Sequence, residues 1–144
     1  MSESVQAPGR SGGAPPDRQG LSSRTNDIEE AYEYFLGYAA QGLPPQSGAG
    51  LQVRDFLKKF DAALTGLGPF FTDYVASLNL DVAAYQGFID VIDRDARDAH
   101  AAIELVLAQP SIGSQTIDNF NANIHVRALL TDLFLLDEIL KAHS

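Results

Sequence analysis

Asp118, His125 and Asp132 stand seven residues apart in the most apolar stretch of the sequence, 114–141. Seven residues are nearly two helical turns, so on one helix each projects within about 20° of the last. They fall beside Leu129, Leu136 and Leu140, on the apolar side. A second group, Asp93, His100 and Glu104, lies in the preceding stretch. Imidazoles and carboxylates on facing helices are the groups with which a helical bundle holds iron, manganese or zinc. Such ligands are neutral or anionic, and their lone pairs must converge about 2 Å from the ion.

The two groups meet if their helices form an antiparallel hairpin. The connection Pro110-Ser-Ile-Gly-Ser114 is short enough for one. With its tip near residues 112–113, His100 stands level with His125. Asp93 stands level with Asp132, about two turns or roughly 10 Å further along the axis. Glu104, one turn from His100, would bridge to it or support it, and a carboxylate would orient the second nitrogen of each ring. The expected ligand set is therefore His100, His125, Asp93, Asp132 and Glu104, for iron, manganese or zinc with redox or oxygen chemistry. Two features oppose it. The Glu-x-x-His pattern of di-iron bundles is absent, because Arg97 stands three before His100. His100 and Asp93 also lie at the border of their helix's apolar stripe. The competing reading is a polar line that fixes helix register, or a seam to another subunit.

A lone histidine on a long helix also has the layout of a four-helix phosphotransfer domain, which RDAHAAIELVL around His100 superficially resembles. The Lys and Gly that follow the histidine in that family are replaced by Ala101-Ala-Ile-Glu104. An acid four residues on repels an incoming phosphoryl group.

The elements that must position these side chains are helices throughout. The best periodic signal runs through Val82, Tyr85, Ile89, Ile92, Ala96, Ala99, Ile103 and Val106, in alternating steps of three and four. That is a heptad seam on a helix capped by Asn79 or Asp81 and stopped by Pro110. The alanines narrow it, so a neighbouring helix can approach closely. A first helix opens at Asn26, where Asn26-Asp-Ile-Glu29 has capping-box spacing, and buries Ile28, Tyr32, Phe35 and Ala39. Gly42 and Leu43-Pro44-Pro45 end it. Residues 46–50 read as a small-residue loop. A second helix over 51–64 buries Val53, Phe56, Leu57, Phe60 and Leu64, and Gly66-Leu-Gly68-Pro69 kinks it into the continuation PFFTDYVASL. The last helix, capped by Ser114 or Thr116, carries an apolar arc wider than one side: Leu129, Leu130, Leu133, Phe134, Leu135, Leu136, Ile139 and Leu140. A monomer buries one side only, so this helix is either central or shared between subunits.

Composition narrows the classes. The 144 residues make one domain of 15.5 kDa, with an ordinary 45% of apolar residues. No cysteine is present, which removes disulfides, thiolate catalysis and Cys-bound metal. A net charge of −9 repels phosphate backbones and anionic membrane surfaces, so nucleic acid is not an expected partner. No secretory leader or run of apolar residues long enough for a membrane span is visible, and a cytoplasmic location is expected. Residues 1–24 hold four Gly and three Pro with few aliphatics and read as a disordered tail.

These readings combine into an all-α chain: an antiparallel up-down four-helix bundle over 25–144, with a kinked second helix and a disordered N-terminal tail. The expected function is that of a non-enzymatic accessory or adaptor subunit, a homo-oligomer or a protein's partner through its last helix. The metal- or cofactor-binding bundle is the alternative.

Overall fold

The computed structural model describes residues 15–45 and 50–143. The expected loop at 46–49 and the first fourteen residues of the expected tail lie outside them. The described chain is all-helical, with six helices: α1 (Arg18–Ala40), α2 (Gly50–Leu64), α3 (Leu67–Ser77), α4 (Val82–Leu107), α5 (Ser114–Ala122) and α6 (Ile124–Lys141).

The first helix starts eight residues before the expected Asn26 cap. The Asp17 carboxylate accepts a hydrogen bond from the Gly20 N–H at 2.7 Å and caps it instead. The additional turns are anchored: Leu21 is fully buried, and the Arg24 guanidinium donates to the carbonyls of Ala63 and Thr65 at 2.9 and 2.8 Å. Residues 18–24 therefore belong to the folded body rather than to a tail. Composition alone hid this, because one leucine and two arginines do the anchoring, Arg18 pairing with Asp137 of α6 at 2.8 Å.

Two expected single helices are each broken. Gly66 adopts φ +67°, a left-handed conformation that suits glycine, and separates α2 from α3 where a kink was expected. Asn123 is extended, at φ −62° and ψ 133°, and separates α5 from α6. Its side chain accepts from the His125 and Val126 N–H groups at 2.9 and 3.3 Å, which starts α6 afresh. By contrast α4 runs as its heptad requires, with Asp81 accepting from the Ala83 N–H at its start.

α1 packs on α2 and α5; α4 packs on α3 and α6; α2 also meets α4, and α5 meets α6. At the first junction Phe35, Phe60 and Phe120 form a mutual edge-to-face triad with ring centroids 5.5 to 6.2 Å apart. Each such contact contributes about 0.5–1.5 kcal/mol beyond the area buried. In the stripes read on the first three helices, Ile28, Phe35, Val53, Leu57, Phe60, Leu64, Ile89, Ile92, Ala96, Ala99, Ile103 and Val106 are buried, and Tyr32, Ala39, Phe56, Val82 and Tyr85 pack against that core half-buried. The α4–α5 loop is held to the end of α1 by polar contacts. The Tyr38 hydroxyl donates to the Ile112 carbonyl, and the Ser114 hydroxyl donates to the Tyr38 carbonyl, both at 2.6 Å.

Two of the basic residues on α2 are structural. Arg54 donates to the carbonyls of Leu107 and Gln109, closing the carbonyl end of α4. Lys59 pairs with Glu30 on α1. No helix among the described residues is long and apolar enough to cross a membrane.

Candidate functional site

The α4 seam decides where the polar side chains go. Ala96, Ala99 and Ile103 point into the core and are buried. His100 follows Ala99 and turns toward α2. There its Nδ1 lies 2.6 Å from Oδ1 of Asp61. Asp61 is carried past the core edge by Phe60, which is fully buried one residue earlier. On the other side of the ring, Nε2 lies 3.8 Å from Oε2 of Glu104, one turn along α4. Asp61, His100 and Glu104 each offer a ligand atom, and these atoms lie within 4.8 Å of one another.

The trio borders a hollow of about 350 Å³ between α2, α3 and α4, lined by Leu64, Thr65, Gly66, Pro69, Ala96 and Arg97 among others. The His100 side chain is half exposed and Asp61 is mostly covered, at 50% and 21% exposure. The hydrogen bond to Asp61 raises the His100 pKa above its ordinary value; the charges of Asp61 and Glu104 act the same way, and partial burial opposes them.

The five residues expected to form one site do not all meet: Asp93 borders the same hollow as His100, whereas His125 and Asp132 lie on the α6 side of α4. His100 and Glu104 stay together on the side facing α2. Asp93 forms an ion pair with Arg97 at 2.9 Å and approaches α3 so closely that a Cβ on Gly68 would meet its carboxylate at 2.6 Å. His125 sits on α6 with Nδ1 3.7 Å from Oδ2 of Asp98. Asp132 meets Asp95 across the α4–α6 interface. Asp118 is exposed on α5, beyond the break at Asn123, so the line Asp118–His125–Asp132 is not on one helix. His100 and His125 therefore do not share a site.

The sequence reading missed Asp61. α2 and α4 are separated by α3 and two turns, so no hairpin arithmetic relates their registers. The only available signal was its place beside Phe60 at the edge of the α2 stripe.

The Asp95–Asp132 pair has its own electrostatics. Burial, then the hydrogen bond and negative charge of Asp95, push the Asp132 pKa up to about 7. Among the described residues the buried Oδ2 of Asp132 has no hydrogen-bond partner. Two ionised carboxylates offer each other only lone pairs, so a proton on one of them is what makes the pair cohesive.

Compared with protein-family models, with curated proteins and with solved structures, the chain matches none. Its function is accordingly read from its own residues.

Proposed function

We propose that this chain is a non-catalytic helical accessory protein that acts by docking the outer face of α6 onto another helix, in the first instance that of a second copy of itself. The observation that carries this reading is the way α6 divides its apolar residues. Val126, Leu129, Leu130, Leu133, Leu136 and Leu140 are buried in the chain's own core. Ile124, Leu135 and Ile139 remain exposed at 73%, 53% and 42%, with Phe134 at 55% beside them. With Ala128 and Thr131 they follow i, i+4, i+7, i+11 and i+15, a stripe down one side of the helix. Eighteen residues give it a length of about 27 Å, the scale of a helix-on-helix contact. Scattered surface leucines are ordinary, whereas a stripe of this length, apolar but for Thr131, characterises a surface that is covered in use.

In this reading the six helices act as four rods, α2 with α3 and α5 with α6 each forming one broken rod. The contacts α1–α2, α3–α4, α4–α6 and α1–α5 then run in the cyclic order of an up-down bundle. The stripe on α6 lies outside it.

The test is the solution mass of the full chain by light scattering, beside that of the Leu135→Glu/Ile139→Glu double variant. The proposal expects the wild type above monomer mass and the variant, equally helical, at monomer mass. A wild type that stays monomeric at about 100 μM, tenfold above a typical weak-dimer Kd of about 10 μM, speaks against self-association as the function.

A further inference from the structure

We propose that His100 and Glu104, with Asp61 orienting the imidazole, form a binding site for a single divalent transition-metal ion of the zinc type where α4 faces α2. This is independent of the docking face on α6, since the trio lies on the α2 side of α4.

The geometry assigns each residue a part. Asp61 takes the Nδ1–H of His100 at 2.6 Å, which fixes the ring and leaves the Nε2 lone pair facing Glu104. A carboxylate on one ring nitrogen and a metal on the other is the usual arrangement of a metal-bound histidine. Nε2 and Oε2 of Glu104 lie 3.8 Å apart. Ligand atoms of a tetrahedral zinc ion, at about 2.1 Å from the metal, lie roughly 3.4 Å from one another. A few tenths of an ångström of closure is needed, and the Glu104 side chain, 61% exposed, is free to supply it. Asp61 lies on the opposite side of the ring, so it orients the imidazole rather than binding the ion, and water completes the shell.

An imidazole nitrogen beside a carboxylate prefers zinc, cobalt or iron(II) over magnesium or calcium, which favour oxygen alone. Two carboxylates neutralise the dication. The nearest cation lining the hollow, Arg97, is already engaged by Asp93 at 2.9 Å. The ion would hold His100 in the tautomer that donates to Asp61, 39 positions away on α2, and so would strengthen the α2–α4 junction.

The experiment is calorimetric titration of zinc chloride into the full chain after chelator treatment, in a His125→Ala/His143→Ala background that leaves His100 as the sole imidazole. One zinc ion per chain is expected, with uptake lost in His100→Ala and weakened at least about tenfold in Asp61→Asn or Glu104→Gln. Magnesium chloride in excess should not compete. Both carboxylate substitutions are near-isosteric, and Glu104 and His100 are solvent-facing, so the helical circular dichroism should stay that of the parent. The proposal is overturned if zinc uptake does not saturate, if it persists unchanged in His100→Ala, or if magnesium displaces it.

Discussion

Asp132 of α6 and Asp95 of α4 meet carboxyl to carboxyl across the α4–α6 interface, and among the described residues the buried Oδ2 of Asp132 has no hydrogen-bond partner. The pair makes the stability of the fold depend on pH. Asp132 titrates near 7 in the folded chain and near 3.8 in a solvated one. Between those values the folded state holds the extra proton, so folding grows more favourable as pH falls from 7 toward 4. Above pH 7 the full penalty applies. Asp132→Asn removes it, so the variant should be more stable than wild type at pH 8, by about 1 kcal/mol once solvent screening of this partly buried group is allowed for. The gap should narrow at pH 5 and close near pH 4. Urea unfolding at the three pH values checks this, and an unchanging gap contradicts it.

The α4–α5 loop depends on close approach as well as hydrogen bonding. A Cβ on Gly113 would stand 2.9 Å from the Pro45 nitrogen and 3.0 Å from the Leu43 carbonyl oxygen, backbone atoms that cannot easily give way. Ser114 accepts from the Leu43 N–H at 2.8 Å while donating to the Tyr38 carbonyl. Gly113→Ala should cost about 1–3 kcal/mol through overpacking. Ser114→Ala should cost a similar amount through unpaired buried backbone groups. Thermal unfolding measures both, and wild-type midpoints would show that the loop is not tied down this way.

Arg24 tests whether residues 18–24 belong to the body. Its guanidinium closes the carbonyl end of α2 and lies 4.7 Å from the centre of the Phe70 ring. Arg24→Ala should destabilise the protein by about 2–3 kcal/mol, since two carbonyl partners and a cation–π contact are lost together.

The length of α4 was legible because its apolar steps of three and four are uninterrupted. The α4–α6 register was nearly legible because the loop between the paired stretches is short. His125 was expected level with residue 100 and meets Asp98; Asp132 was expected level with residue 93 and meets Asp95. Each differs by two positions, and two positions on a helix turn a side chain by about 200°. That rotation separates a shared site from residues at nearly the same level that face different neighbours. The interruption at Gly66 was marked by Gly66-Leu-Gly68-Pro69, whereas the break at Asn123 lay within apolar spacing that continues past it, so periodicity read through it. The Arg24 anchor and the Asp61 partner of His100 were illegible for another reason: they are contacts between elements with no short connection to set their relative rotation.

The absence of cysteine allows the docking face to be tested at one chosen point. Thr131 lies midway along the exposed stripe of α6, so it approaches its own symmetry mate whether the two helices run parallel or antiparallel. The most direct measurement is the dipolar distance between nitroxides attached to a Thr131→Cys variant of the full chain. Packed helix axes lie about 8–10 Å apart, so a sharp intermolecular distance below about 25 Å is expected, and adding Leu135→Glu should abolish it. A dipolar signal with no defined distance, at a concentration where the chain should be paired, would contradict the proposal that α6 is where this protein meets its partner.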